Sequence, residues 1–348
     1  MEIIKLNTGN LWTEPFLNRV IDLNKKYEGK TQVASLYGSI AQLTPTARAF
    51  DRLPFRDWTF LDEYIAIARK NNIHMRYTLN MSCLGSMDEF HRSWETKLKK
   101  DIQELHDIGV DEWTVCSPLL VQELTEMFPG DLIEVSTIAE VKTPNEYNLF
   151  KEIGAKGLNL ATSINRDFNA IRAISAIEPN TVLLANEACI HNCPYRRDCY
   201  NLSSHNSGRD EKFFHSYPFA WCNEWRIADP VEWIRARLIL PQWMRIYQEH
   251  AGINWFKISF RTHPYKTAIP ILEKYMSEQH DGNLLELWPT IAHLGHTDEP
   301  IKGTNISCKL LDEIGMINYF MTNGHTCANK VCDVDCNTCE HFYEKSVQ

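Results

Sequence analysis

Eight short apolar or alternating runs, each followed by a stretch with helical spacing, constrain this chain more than any other feature. The runs are EIIKLN (2–7), QVASLY (32–37), MRYTLN (75–80), EWTVCS (112–117), LIEVST (132–137), GLNLAT (157–162), TVLLAN (181–186) and WFKIS (255–259). Between them lie EPFLNRVIDLNKKY, WTFLDEYIAIARKN, HRSWETKLKKDIQELHDIG, SPLLVQELTEMF, TPNEYNLFKEIG and DFNAIRAISAI; later come VEWIRARLILPQWMRIYQEHAG and YKTAIPILEKYM. Several repeat apolar residues at three- and four-residue intervals, as a helix with one buried face must. DIGVDEW, KEIGAKG and EHAGINW each place Gly where a helix end needs a left-handed residue. Eight strand–helix alternations predict a closed parallel (β/α)8 barrel of the TIM type. The alternative is an open doubly wound sheet, disfavoured because no Gly-rich phosphate loop follows the first strand.

Two segments break the alternation. Between the seventh strand and its helix lies a long insertion, Glu187 to Pro230. Loops that long in a compact domain usually carry function, and in a barrel the loops after strands form the active face. At the other end, residues 321–348 form a Cys-rich tail, which divides the chain into a barrel over 1–320, with its metal-binding insertion at 187–230, and a tail over 321–348.

The chain has eleven cysteines, and seven of them fall in two clusters. The N-terminus, MEIIKLNTGN, has neither a basic region nor a long apolar stretch. No secretory signal is therefore expected, no window suggests a membrane span, and the reading is cytoplasmic. In that compartment the clustered thiols point to metal binding rather than disulfides. The net charge of −9 argues against a general nucleic-acid or membrane-surface binder.

In NEACIHNCPYRRDCYN (186–201), Cys189, Cys193 and Cys199 are spaced C-x3-C-x5-C, and Cys222 in FAWCNEW is the natural fourth ligand. Four thiolates can hold a 4Fe–4S cluster or a tetrahedral zinc; the spacing, looser than zinc knuckles, favours the cluster. Arg196 and Arg197 put positive charge beside a site that would be anionic, and are read as cofactor-binding. His191, His205 and Cys83 stand as alternative ligands. The second group, CANKVCDVDCNTC, supplies Cys327, Cys332, Cys336 and Cys339 for a second 4Fe–4S cluster or a zinc.

Polar residues ending apolar strands are expected at the barrel mouth: Asn7, Tyr37, Ser39, Asn80, Ser136, Thr137, Thr162, Asn186, Glu187, Lys257 and Arg261. Asn80, Asn186, Glu187 and Arg261 are the catalytic candidates, with Arg261 expected to hold an anionic group in two-point geometry. Lys257 is read as structural, paired to a carboxylate such as Glu134. Arg48 and Arg52 are read as solvated.

Taken in order, the motifs resemble the collagenase-like peptidase family U32. MRYTLNMSCLG is similar to the family's third strand and Asn-containing turn. The stretch from HDIGVDEWTVCSPLL to KEIGAKGLNLATSI is similar to its central block. ANEACIHNCPYRRDCY occupies the place of its Cys-containing signature, and FKISFR resembles its Lys-Ile-Glu-Gly-Arg strand, with Ser259 and Phe260 replacing the Glu and Gly. The resemblance covers roughly residues 1 to 275 of the sequence. It implies a barrel and, as in several members, a 4Fe–4S cluster. Such members are similar to oxygen-independent hydroxylases acting on a quinone precursor or on RNA bases, some with prephenate as oxygen donor. The expected function is therefore redox or oxygen-independent hydroxylation-type chemistry on a small molecule or modified polymer. The partners implied are that substrate, an electron-donor protein and a homologous partner subunit, with no membrane. A U32-like peptidase is the alternative, though the sequence lacks H-E-x-x-H and G-x-S-x-G. A non-catalytic protein with structural metal sites is the other.

Overall fold

The computed structural model describes the chain apart from residues 1, 44–45, 49, 86, 188, 208–216, 261–263, 289–303, 325–326 and 328–329, and the side chains at 51, 87, 89 and 217–220. All eight expected strands form: β1 (Ile4–Gly9), β2 (Thr31–Gly38), β3 (His74–Leu79), β4 (Glu112–Val115), β5 (Leu132–Val135), β6 (Gly157–Asn159), β7 (Thr181–Leu184) and β8 (Trp255–Ile258). Neighbours in sequence pair in parallel, and β8 closes on β1 with Lys5 opposite Trp255. The result is a closed (β/α)8 barrel, so the open-sheet alternative falls.

The outer helices are α1 (Glu14–Lys26), α2 (Trp58–Lys70), α3 (Met87–Ser93), α4 (Lys99–Asp107), α5 (Pro118–Met127), α6 (Pro144–Glu152) and α7 (Phe168–Ser175). A wider π turn, Trp94–Leu98, joins α3 to α4. Local chemistry sets their ends. Thr143 and Glu146 form a reciprocal capping box on α6, and Asp57 and Asp167 cap α2 and α7. The three glycines read as helix stops, Gly109, Gly154 and Gly252, are left-handed. At Gly154 a Cβ would also lie 2.4 Å from the Thr125 hydroxyl, so both conformation and space exclude a side chain.

The insertion contains two helices that its sequence pattern did not announce, α8 (Arg196–Ser207) and α9 (Tyr217–Ala228). The helix expected over 231–252 is broken into α10 (Glu232–Arg235), a 3-10 turn at Pro241–Trp243 and α11 (Met244–Ala251). Pro241 cannot donate a helical hydrogen bond, and Arg237 turns left-handed at φ 61°. The chain continues through α12 (Tyr265–Ser277), α13 (Cys308–Glu313), α14 (Met316–Thr322) and α15 (Thr338–Ser346). The tail helix α15 packs against the barrel side. Phe342 is buried near Phe320, and Val347 pairs with Ile306. Among the described residues, no helix is long and apolar enough to cross a membrane.

Inside the barrel runs a charged layer. Arg76 of β3 donates from Nε to Glu112 at 2.9 Å and from Nη1 to Glu134 of β5. Strands β3 and β5 are not neighbours, so this bond crosses the interior. Thr114 and Asn159 also donate to Glu134, and Arg76 lies over the Trp255 ring of β8. Glu134 thus serves Arg76. Lys257, expected to pair with such a carboxylate, lies 4.1 Å from the centre of the Tyr37 ring.

Candidate functional site

Helix α8 brings the insertion across the C-terminal rim of the barrel. Ser207 Oγ accepts from the Thr46 backbone, in the loop after β2. Ser204 Oγ accepts from the Ser82 backbone after β3, and Ser82 Oγ donates to Asn201. The first turn of α8 then reaches the loops after β5 and β7. Arg196 donates from Nε to Glu140 and from Nη2 to Glu187 at 3.0 Å. Tyr200 donates to the other Glu187 oxygen at 2.8 Å. Burial alone would push the Glu187 carboxyl up. The Arg196 charge and the two hydrogen bonds outweigh it, holding the group below its usual range.

Arg196 forms one wall of a cleft of about 260 Å³. Glu140, Lys142, Thr162, His191, Arg197 and Arg237 also line it, as do Cys189 and Cys193. Seven non-glycine residues among those described have positive φ, and three of them, Glu140, Asn192 and Arg237, line this one cleft. Left-handed backbone in such residues costs of order 1–3 kcal/mol each and concentrates at ligand sites. The Arg237 guanidinium lies against His191, with Nε 3.1 Å and Nη2 2.9 Å from the two ring nitrogens. Burial and then the Arg237 charge push the His191 pKa down to about 3, so its imidazole is neutral at ordinary pH.

Cys189, Cys193, Cys199 and Cys222 converge on this rim. Cys199 lies in the field of Cys193 and Cys222, Cys193 in that of Cys222, and Cys189 in that of Cys199. Burial, reinforced by Glu187, pushes the Cys189 thiol up to about 12; burial, reinforced by Cys193, does the same at Cys199. Arg226 Nη1 stands 3.5 Å from Cys222 Sγ. The eleven cysteines are free of disulfides. No three His, Cys, Asp or Glu side chains stand in ready metal-binding geometry among the described residues. The donor set nevertheless suits a thiolate-ligated group. It offers four sulfurs, with arginines beside them, and Arg196 Nη1 is buried and unpartnered.

The second group, Cys327, Cys332, Cys336 and Cys339, lies in the tail. Cys339 lies in the field of Cys327, as well as of Arg166, Arg237 and Arg235. Backbone pairing sets Cys332 beside Cys336.

The other sequence candidates divide. Glu187 joins the Arg196 network at the rim. Asn80 Oδ1 accepts from the Ala47 backbone at 3.3 Å and ties down the loop after β2. Asn186 is wholly buried, exchanging hydrogen bonds with the Ser259 backbone and donating to the Leu287 carbonyl. Arg261 lies outside the described residues. Sequence reading missed Glu140, Lys142, Arg166 and Arg237, and gave His191 only a ligand role. The insertion and its cysteines were legible from spacing; these partners come from three other segments and carry no local signal.

Comparison with known proteins adds a family. Residues 46–212 match the model described as "Peptidase family U32". A protein of Methanocaldococcus jannaschii, named as an uncharacterized protease, is 28% identical over 334 residues, covering 95% of this chain and 93% of that protein. Among solved structures, one titled as a U32 peptidase aligns with a TM-score of 0.45 at 16% identity, covering 63% of this chain and 85% of that one. A GH113 β-1,4-mannanase aligns at 0.42 and 12%, covering 80% and 100%.

Proposed function

We propose that this chain, which is similar to peptidase family U32 over residues 46–212, is an iron–sulfur barrel enzyme acting on an anionic small molecule or modified polymer. Cys189, Cys193, Cys199 and Cys222 would hold a 4Fe–4S cluster at the C-terminal rim. The observation that supports this reading is Cys189 and Cys193 on the wall of the cleft beside Arg196, with Cys199 and Cys222 close enough to act electrostatically on Cys193. When bound, such a group supplies one-electron redox chemistry, the basis for an oxygen-independent hydroxylation-type reaction. The protein's own residues bind and orient. Lys142, Arg197 and Arg237 give the cleft cationic edges suited to a carboxylate or phosphate. Glu187 and Glu140 hold the Arg196 fork, leaving Nη1 as an unused donor. A thiol must lose its proton to bind a metal, so metal uptake at these cysteines strengthens with rising pH. The partners fitting this reading are an electron-donor protein and a homologous subunit.

A peptidase is the second reading, favoured by the family description and by the name of the Methanocaldococcus relative. The cleft offers it Ser163 and His191, but both imidazole nitrogens face Arg237, which leaves the ring poorly placed as a general base. Anaerobic purification with iron, sulfide and zinc analysis separates the two. About four iron and four sulfide per first site, lost together in Cys193→Ser, are expected. Colourless, iron-free protein that cleaves peptides would sink the cluster and establish the peptidase.

A further inference from the structure

We propose that Cys327, Cys332, Cys336 and Cys339 form a second four-thiolate metal centre, and that this centre, through Arg166 and Arg235, seats the Arg237 side of the cleft. The site is separate from the first, and only the folding control in its test rests on the reading of that first site.

The first observation is a buried cation without a carboxylate. Arg166 is 4% exposed. Its Nη2 donates to the Ile234 carbonyl at 2.6 Å, its Nη1 stands 3.7 Å from Cys339 Sγ, and its face covers the Phe320 ring. Its Nε is buried and unpartnered. Among the described residues no carboxylate pairs with it, and Arg237 adds further positive charge nearby. A buried guanidinium needs an anion, because removing it from water costs more than a carbonyl and a ring return. The Cys339 sulfur is the group in place to be that anion. As a thiol the sulfur carries no charge. Bound to a metal it is a thiolate.

The second observation is a loop with little to fold around. Val331 is 58% and Val334 77% exposed, and Cys332 is exposed between them. Yet the loop is tightly turned. Asp333 N donates to the Cys336 carbonyl at 3.1 Å, Asp335 N to the Val331 carbonyl at 2.9 Å, and Asp333 is left-handed at φ 64°. Such small, coreless turns usually depend on a staple. The spacings, C-x4-C then C-x2-C, are those of paired thiolate knuckles. The sulfurs are not gathered in coordinating geometry among the described residues, so binding would draw the loop closed.

The third observation links the tail to the cleft. Asp333 accepts from Arg235 at 2.5 Å, and Arg166 holds the Ile234 carbonyl. Residues 234 and 235 lead directly into Ala236 and Arg237, which line the cleft beside His191. Closing the tail loop on a metal therefore fixes both ends of the grip on this segment.

The test uses the full-length protein, purified anaerobically and reconstituted either with zinc alone or with ferrous iron and sulfide. Metal per chain is measured in the wild type, in Cys332→Ser/Cys336→Ser and in Cys189→Ser/Cys193→Ser. Each double variant is expected to lose one centre and keep the other, and retention of the first centre's metal reports that the tail variant is folded. Zinc missing from the tail variant identifies a structural ion; iron and sulfide missing in equal amounts identify a cluster. Wild-type metal content in the tail variant overturns the site, and loss of both centres overturns its independence. If the double variant does not fold, Cys332→Ser at the exposed end of the loop replaces it. Hydrogen exchange over residues 232–239 is expected to quicken about ten-fold when the tail metal is lost. Unchanged exchange there, with the metal gone, overturns the seating role.

Discussion

Two arginines in this molecule are each gripped by two glutamates, and they differ in what is left over. Arg76, inside the barrel, donates to Glu112 and Glu134, and none of its nitrogens is among the buried, unpartnered atoms. Arg196, at the rim, donates to Glu140 and Glu187 and leaves Nη1 without a partner on the wall of a cleft. The first is held on strands in the rigid barrel. The second is held by a helix start and two loops, with left-handed Glu140 at one end. A saturated ion network specifies packing. A network with a spare buried donor, a strained backbone and an opening is one prepared for something else to bind.

The largest effect is expected at Arg76. Arg76→Leu would leave Glu112 and Glu134 buried against an apolar side chain and cost about 3–5 kcal/mol in denaturant unfolding. Adding Glu134→Gln removes one of the two stranded charges but keeps an oxygen for Thr114 and Asn159, and should recover part of the loss. No recovery would mean that volume rather than charge sets the cost.

Arg196→Leu should cost less, about 1–3 kcal/mol, because water reaches Glu140 and Glu187 at the cleft edge. A loss equal to that of Arg76→Leu in the same unfolding assay would erase the distinction between a sealed network and an open one.

The smallest effect is at His74, where the Arg76 network meets the surface. His74 Nδ1 lies 3.5 Å from Asp111 and 3.8 Å from Glu112. The hydrogen bond that His74 donates to Asp111 raises the His74 pKa. Its contribution is therefore full below the unfolded imidazole value and fades as pH rises through the folded one. Burial pushes Asp111 up, but His74 and Arg69 bring it below its ordinary value, so its contribution is present above about pH 4 and fades as pH falls. The pair helps most between about pH 4 and 6.5. His74→Asn should change stability at pH 7 by no more than about 0.5 kcal/mol and flatten the melting temperature between pH 6 and 8. An unaltered pH profile would show that the pair contributes nothing.

Much of this was readable in advance where the signal is local. Strand runs such as TVLLAN, glycine stops such as Gly154 and the C-x3-C-x5-C spacing all follow from neighbours in the chain. The helix expected over 231–252 failed because its apolar spacing is set by burial in a bent segment, which periodicity cannot separate from one face of a helix. Asn80 and Asn186 were correctly placed after strand ends, but position says nothing of whether a side-chain amide faces ligand or the next loop. Only the fold showed both engaged with backbone.

By itself the sequence determined the barrel, the rim on which the insertion must emerge and the thiols available there, because strand period, helix capping and cysteine spacing act over a few residues. The tertiary structure decided which charges meet. Glu140 reaches Arg196 from 56 positions away, and Cys339 reaches Arg166 from 173. Such pairs depend on barrel closure and on the docking of α8 and α15, and Coulomb attraction between distant residues leaves no period in the chain to be read.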